Sequence, residues 1–169
     1  PPSPPPPVYL QPDYWVTHAT QDLMPFWMQE AALGSPVGNF PTYRSMLGAV
    51  TNQTERRPRM IGRQIFTYCA AYMLTGETAY LAPAKGGINW LLTYAWDTTT
   101  GGWHTTLNAQ GIPTGIEPRT AQDAAYVGLG LAAWFYITRD SAAEQRLLDT
   151  RDALLDGVFW DPLTGRIHD

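Results

Sequence analysis

The chain has 169 residues, of which 44% are hydrophobic and 15% charged, and its formal net charge is -4. This length and composition predict a globular domain with a sizeable core rather than a disordered chain. Because the acidic balance comes without a basic stripe, we expect no nucleic-acid partner. The longest strongly apolar run, residues 124–137, is too short to cross a bilayer, so no membrane span is expected.

A proline-rich arm opens the sequence. Pro1 to Pro7 are interrupted only by Ser3, which predicts an extended polyproline II segment. Such a tract commonly tethers a domain to a removed signal or a lipid anchor, so it favours a periplasmic or secreted location over a cytoplasmic one. We therefore assign residues 1–12 to an arm or linker and residues 13–169 to a single helical domain.

Apolar periodicity and end signals predict five helices after the arm. Pro58 and Pro118 suit a first helical turn, and Gly76 suits a helix end. The second and fourth helices are apolar around most of their circumference and should be enclosed, whereas the third and fifth have a polar side. This alternation is expected of an inner and an outer ring. The predicted helices are Asp13–Leu33, Pro58–Thr75, Glu77–Tyr94, Pro118–Thr138 and Ser141–Leu155.

Short motifs recur along the chain at a nearly constant interval. Gly38-Asn39-Phe40 precedes Gly101-Gly102-Trp103 by 63 residues, and Trp96-Asp97 returns 64 residues later as Trp160-Asp161. The repeating unit is therefore a hairpin, an inner helix, a turn and an outer helix. Because Pro58 and Pro118 are only 60 residues apart, we expect a gap between hairpin and helix in one unit.

Units of this kind cannot bury their inner faces alone and need ring closure or terminal caps. The predicted fold is an all-α toroid with β-hairpin loops, of which this chain carries about the first half. Because residues 165–169 stop inside a third hairpin, we expect a truncated product. The alternative is a complete helical array of two and a half units.

Three segments resemble the first half of the N-acylglucosamine 2-epimerase family of sugar epimerases and isomerases. The most specific element is Gly62-Arg63-Gln64 followed by Tyr68 and Tyr72 on an inner helix. The resemblance implies an (α/α)6 barrel whose inner helix ends and hairpin loops form a sugar pocket. The matching segments are residues 38–44, residues 57–64 with 68–72, and residues 101–104.

The chemistry implied by this resemblance is C2 epimerisation or aldose–ketose isomerisation through ring opening and an enediolate. That reaction needs a base with a pKa near working pH and a cation or hydrogen-bond donors for the developing oxyanion. Arg63 matches the family's pocket arginine, and a permanently charged fork suits that role. The alternative is an arginine that pairs with a carboxylate such as Asp123.

Other candidate site residues come from the hairpins and the neighbouring inner helix. The resemblance implies that the family's paired histidines lie on inner helices of the second half, so neither His18 nor His168 is assigned as a base. Tyr68 and Tyr126 are expected to fill the barrel, although a phenol near its open end could reach substrate. Hairpin packing competes with a substrate contact for each hairpin residue. The candidate substrate contacts are Tyr43, Arg44, Trp103, His104 and Asp123.

Ala124 follows Asp123 at a position where some isomerases of this family carry histidine, and this departure favours the epimerases. An (α/α)6 glycoside hydrolase or lyase is the second hypothesis, yet Glu117 and Asp123 show no pairing signal for two catalytic carboxylates. A non-catalytic carbohydrate-binding fragment is the third. The expected ligand in every case is a monosaccharide or disaccharide.

The sequence contains neither a phosphate-binding glycine loop nor a dinucleotide fingerprint, so no obligate cofactor follows. Its single cysteine, Cys69, offers no zinc spacing and no internal disulfide, so no metal site is expected. An isolated half-ring would expose the sides of two apolar inner helices, and such a patch favours association. A homodimer of the full-length protein is one oligomeric state that the sequence leaves open.

Overall fold

The computed structural model describes residues 7–115, 118–155 and 159–167. The expectations placed on residues 1–6, Glu117 and His168 lie outside these ranges. The helices are α1 (Pro12–Thr17), α2 (Met24–Trp27), α3 (Glu30–Leu33), α4 (Pro58–Thr75), α5 (Leu81–Trp90), α6 (Ala121–Thr138) and α7 (Ser141–Leu155). Short 3-10 turns cover Val8–Leu10 and Thr78–Tyr80, π-helical turns cover His18–Leu23 and Leu91–Ala95, and strands β1 (Trp160–Asp161) and β2 (Arg166–Ile167) form a hairpin.

The first predicted helix, Asp13–Leu33, is broken rather than continuous. A π-helical stretch separates α1 from α2, and the chain bends again at Gln29, whose ψ is 143°. Pro25 lies just after the π-helical stretch and has no N–H to donate to the preceding turn. Loss of that hydrogen bond is a recognised cause of helix distortion. The prediction of one helix was therefore wrong in its continuity.

Two of the three predicted end signals are confirmed. Pro58 is the first residue of α4, and Gly76 follows its last residue in the left-handed conformation, with φ 73°. Pro118, in contrast, lies outside α6, which begins at Ala121. Thr120 caps this helix because its hydroxyl accepts the Asp123 N–H at 3.0 Å. The helix start predicted at Pro118 was wrong because the capping hydroxyl decides where the helical turn begins.

The repeat keeps one register through its whole length. Helices α4 and α6 both have 18 residues and begin 63 positions apart, at Pro58 and Ala121. The backbone bridges Arg44 to Val50 and Leu107 to Pro113 obey the same offset and enclose Gly48 and Gly111, which have φ 89° and 79°. The predicted hairpin repeat is confirmed, and the predicted gap is absent because Pro118 is not equivalent to Pro58.

The Trp-Asp motif forms a tight turn in both of its copies. Asp97 accepts the Thr99 N–H at 2.8 Å, and Asp161 accepts the Leu163 N–H at 2.8 Å. A backbone bridge joins Trp96 to Trp103, as β1 and β2 join Trp160 to Ile167. A carboxylate that receives backbone N–H groups two residues ahead is the usual Asx-turn device, which explains why the motif recurs at each hairpin.

The inner helices α4 and α6 pack against each other through glycine. A methyl group added at Gly62 would collide with the carbonyl of Tyr126 and lie 2.7 Å from the Cα of Val127, and one added at Gly130 would collide with the carbonyl of Gly62. Glycine lets two helix backbones approach this closely because it has no Cβ. Fully buried side chains around this crossing include Ile61, Ile65, Tyr68, Cys69, Val127 and Leu131.

Each inner helix carries one outer helix, with α5 packed on α4 and α7 packed on α6. The predicted faces of α5 are confirmed, since Ala84 and Ile88 are buried whereas Lys85 and Asn89 are exposed. No helix in the described part of the chain is long and apolar enough to cross a membrane.

Full enclosure of the inner helices was predicted and is not observed. Exposed apolar side chains on these helices are Phe66 at 37%, Met73 at 47% and Tyr136 at 65%. Two open apolar cavities mark the free sides, one of about 350 Å³ beside α4 and one of about 430 Å³ between α6 and α7. The inner helices are thus covered by each other and by one outer helix each, and their remaining sides face open space.

Candidate active site

Arg63 projects from α4 toward α6 on the inner side of the helix pair. The carbon of its guanidinium lies 5.1 Å from the centre of the Tyr126 ring, and its Nη1 approaches the sulfur of Met60 at 3.8 Å. The side chain is exposed. Among the described residues no carboxylate pairs with Arg63. Its charge is therefore available to a ligand.

Asp123 pairs with a different arginine. Its Oδ1 lies 3.1 Å from Nη1 of Arg59, one helical turn before Arg63, and its Oδ2 accepts a hydrogen bond from the Thr120 hydroxyl at 3.0 Å. Asp123 is only 8% exposed. The alternative in which Arg63 is neutralised by Asp123 is thus not the arrangement in the structure, because Arg59 takes the carboxylate.

Arg63 and Arg44 line one cavity of about 270 Å³. The Arg44 guanidinium is 4.0 Å from the centre of the Phe26 ring and 5.0 Å from that of Trp27, and it donates to the carbonyls of Phe26 and Gly48 at 3.4 Å. Burial lowers the pKa of Arg44. Arg44 joins the hairpin to the first helical segment, and its contact with substrate stays a prediction.

Gln64 and Tyr68 support this cavity from below. Gln64 donates to the Ala32 carbonyl and to the Tyr68 hydroxyl, both at 3.0 Å, and Tyr68 donates to the Trp27 carbonyl at 2.7 Å. Burial raises the pKa of Tyr68 to about 12, so this phenol is a hydrogen-bond donor rather than an acid. The Gly-Arg-Gln motif thus combines one packing residue, one exposed cation and one buried anchor.

Tyr43 belongs to a hydrogen-bonded network on the first hairpin. Its hydroxyl donates to Oε1 of Glu55 at 2.8 Å, and the same oxygen receives Nε of Arg57 at 2.8 Å. The hydrogen bond with Glu55 raises the pKa of Tyr43, and the hydrogen bond from Arg57 lowers the pKa of Glu55. Tyr43 lies next to two residues that line the Arg63 cavity but does not line it itself.

Trp103 is 3% exposed and packs edge-on against Trp96, with 5.1 Å between the ring centres. Its indole N–H donates to the Thr150 hydroxyl at 2.9 Å. Together with Asp123 it lines a second cavity, of about 500 Å³. These contacts place Trp103 between the second hairpin and α7, and a stacking role toward sugar stays a prediction.

His104 donates its backbone N–H to the Ala95 carbonyl at 2.9 Å, and burial lowers the pKa of its imidazole. It lines neither of the two cavities described above. The candidate residues therefore fall into two groups, Arg63 with Arg44 and Trp103 with Asp123, while Tyr43 and His104 stand beside them.

Arg59 is a polar residue of this region to which the sequence analysis gave no role. Its spacing of four from Arg63 puts both on one helix face, and Asp123 and Tyr126 have the matching spacing of three. These four side chains form two polar rungs between α4 and α6, an ion pair and a cation–π contact. The spacing was visible in the sequence, but the pairing of the two helices was not.

The comparisons with known proteins agree with this architecture. Cellobiose 2-epimerase of Bacteroides fragilis is 31% identical over 100 residues, which cover 56% of this chain and 24% of that protein. The solved cellobiose 2-epimerase of Spirochaeta thermophila superposes with a TM-score of 0.81 at 20% identity, over 96% of this chain and 39% of its own. A solved D-mannose isomerase gives a TM-score of 0.84 at 24% identity, over 98% and 40%.

These neighbours confirm the predicted half-toroid, since this chain spans about 40% of the solved structures and about a quarter of the curated relative. The family model for N-acylglucosamine 2-epimerase (GlcNAc 2-epimerase) matches residues 38–169, from the first hairpin to the end of the sequence. The match includes α4, α6 and every candidate site residue named above. The chain belongs to the N-acylglucosamine 2-epimerase family.

Proposed function

We propose that the protein to which this chain belongs is a sugar 2-epimerase or aldose–ketose isomerase, with Arg63 as its oxyanion-binding residue. The observation that carries the proposal is the exposed guanidinium of Arg63, which faces the inner side of α4 and α6 without a carboxylate partner among the described residues. An unpaired cation at this place has an electrostatic role to fill.

The proposed reaction begins with opening of the sugar ring to the free aldehyde. A base removes the proton at C2, the electron pair moves to the carbonyl oxygen, and an enediolate forms. The fixed positive charge of Arg63 stabilises that oxygen without taking up the proton, because guanidinium does not deprotonate in proteins. Return of a proton to the opposite face of C2 gives the epimer, and its delivery to C1 gives the ketose.

The proton-transfer groups are proposed to come from helices of the family fold that this chain does not span. His18 is held by Asp22 through a 2.7 Å contact, and His104 stands on the second hairpin outside the Arg63 cavity. Neither histidine is within the set of residues around Arg63. The family resemblance places the paired histidines on inner helices of the second half.

The proposed substrate class is a monosaccharide or disaccharide with a free reducing end, because the ring-opening step requires one. Two of the similar proteins are named cellobiose 2-epimerase and one D-mannose isomerase. Both names describe chemistry at the C1–C2 unit of a reducing sugar. The aromatic groups near the Arg63 cavity, Phe26 and Trp27, could pack on the CH face of a ring only if Arg44 releases them.

The experiment is incubation of the full-length protein with cellobiose, mannose, glucose and N-acetylmannosamine in heavy water, followed by NMR. The proposal predicts that deuterium enters at C2 of at least one sugar, together with an epimer or a ketose. Arg63→Lys should slow this exchange, whereas Arg151→Lys, a matched change at an exposed arginine on α7, should leave it unchanged.

The other hypotheses give different results in the same tubes. Release of glucose from cellobiose without exchange at C2 would identify a glycoside hydrolase and contradict the proposal. Sugar binding without any exchange would identify a non-catalytic carbohydrate-binding protein and would contradict it as well.

A further inference from the structure

Arg56, two residues before α4, is a buried arginine that the proposed reaction does not use. The residue is 8% exposed. Its Nε donates to the side-chain oxygen of Asn39 at 2.7 Å, and its Nη1 donates to the carbonyls of Thr54 and Glu55 at 2.9 and 3.3 Å. Nη2 makes no hydrogen bond with the described residues. All of these acceptors are neutral oxygens.

The equivalent arginine of the next repeat unit solves the same problem differently. Arg119 lies 63 positions after Arg56, donates to the Gly101 carbonyl and forms an ion pair with Asp97. The residue equivalent to Asp97 in the first unit is Gly34, 63 positions earlier. The first unit therefore keeps the arginine and lacks the carboxylate.

A buried charge is expensive unless an opposite charge accompanies it. Burial lowers the pKa of Arg56, and no carboxylate contributes an opposing influence to that shift. The nearest acid in sequence, Glu55, has its carboxylate engaged by Tyr43 and Arg57. The counter-charge of Arg56 is thus absent from the described residues around it.

An open cavity of about 530 Å³ lies beside Arg56. Gly34 lines it at the position where the second unit carries its aspartate, and Ser35 and Gln110 add polar side chains to its wall. It shares only Pro41 with the Arg63 cavity. The cavity therefore offers space and hydrogen-bond donors next to an uncompensated cation.

We propose that this cavity, hereafter the Arg56 cavity, binds a small organic carboxylate that occupies the place of the missing aspartate side chain. A carboxylate suits the fork of a guanidinium because two parallel N–H groups can meet its two oxygens. The proposal does not depend on the enzymatic activity, since the Arg56 cavity stands at the hairpin side of α3 and outside the Arg63 cavity.

Glu30 also lines the Arg56 cavity and opposes an anion there. It is exposed at the start of α3, so solvent screens much of its effect. Gln110 stands at the exposed tip of the second hairpin. These two side chains provide isosteric changes of opposite sign, Glu30→Gln and Gln110→Glu, that leave Arg56 and its hydrogen bonds in place.

The test is a titration of the full-length protein with sodium acetate, followed by thermal unfolding and by NMR of the arginine side-chain Nε–H groups. Sodium chloride at the same ionic strength is the control for screening. We expect a saturable rise in Tm with acetate and a shift of the Arg56 signal. Glu30→Gln should tighten binding about two- to threefold, and Gln110→Glu should weaken it by a similar factor.

Three outcomes would overturn the proposal. Chloride and acetate could stabilise equally, the Arg56 signal could stay unmoved at saturation, or the two isosteric variants could show the same affinity as the unchanged protein. Arg56→Gln is not the primary test because it removes hydrogen bonds from the hairpin and would unfold this region. The paired rim variants avoid that problem, and each of them alone can contradict the proposal.

Discussion

Arg63 and Tyr126 occupy equivalent positions of two successive repeat units, and their side chains meet across the helix pair. They are 63 residues apart in sequence, and 5.1 Å separates the guanidinium carbon from the centre of the ring. The helix axes can come this close because Gly62 and Gly130 remove the side chains at the crossing. The candidate oxyanion site is therefore a product of the repeat itself.

Replacement of Arg63 by lysine should reduce the rate of C2 exchange by about 100-fold or more, as removal of one oxyanion donor does in other enzymes. Lysine keeps the charge but loses the planar fork and sits elsewhere relative to Tyr126. Deuterium exchange at C2, measured by NMR with saturating sugar, is the test. Equal rates for Arg63→Lys and for the Arg151→Lys control would remove Arg63 from the reaction.

A methyl group at the helix crossing should destabilise the protein. Gly62→Ala forces its new Cβ into the backbone of α6, so we expect a loss of about 1–3 kcal/mol in the free energy of unfolding. Gly128→Ala is the matched control on the adjacent inner helix, because its nearest heavy atom would be Cδ1 of Leu147 at an ordinary 3.7 Å.

In that control the helix propensity of alanine should raise stability by about 0.5–1 kcal/mol. Urea unfolding of both variants measures the difference. Equal stabilities would contradict the close approach of α4 and α6.

The two inner helices end in the same left-handed conformation with different residues. Gly76 has φ 73° and Arg139, 63 positions later, has φ 57°. Arg139→Gly should therefore stabilise the protein by about 0.5–1 kcal/mol, less any loss from the contacts of its guanidinium with Phe135 and Tyr136.

Gly76→Ala is the reciprocal change and should cost about 1 kcal/mol, because nothing lies within 4 Å of its Cβ and only the backbone conformation is penalised. Thermal unfolding of the two single variants gives both values. Destabilisation by Arg139→Gly would show that the arginine side chain outweighs the backbone term.

The indole of Trp103 should be coupled to the hydroxyl of Thr150. We expect a coupling free energy of about 1 kcal/mol between Trp103→Phe and Thr150→Val in a double-mutant cycle of unfolding, since a buried hydrogen bond of 2.9 Å is lost in each. Sugar affinity separates this packing role from a substrate contact. If Trp103 stacks on sugar, Trp103→Phe must weaken binding more than Trp90→Phe, a matched change at the buried tryptophan of α5.

Acid should destabilise the second hairpin through Asp97. Hydrogen bonds from the Thr100 hydroxyl, from the Thr99 and Thr100 N–H groups and from Arg119 lower the pKa of this carboxyl below its ordinary 3.8. A group whose pKa is lower in the folded state contributes stability above its unfolded pKa and loses that contribution as the pH falls below it.

We therefore expect stability to decline from about pH 4 downward, with a smaller decline for Asp97→Asn than for the unchanged protein. Urea unfolding at pH 7, 4 and 3 measures both slopes. Identical pH dependence in the two proteins would show that Asp97 is not perturbed by folding.

Much of this fold was predictable from the sequence because the repeat is written in local signals. Helix α4 was predicted with its observed bounds, since Pro58 opens it and Gly76 closes it through their own backbone preferences. The hairpins followed from Gly48 and Gly111, which adopt positive φ. The start of α6 was mispredicted because a proline is a permissive signal, whereas the hydroxyl of Thr120 is a bond.

The sequence by itself determined the family, the repeat and the presence of Arg63 on an inner helix, because these depend on residue identity and spacing along one chain. Only the tertiary structure decided which partner each charge has. Asp123 pairs with Arg59 rather than Arg63, and Arg56 is buried without a carboxylate although Arg119 has one. Such pairings depend on how two helices or two hairpins approach each other in space, and spacing along the sequence does not encode that distance.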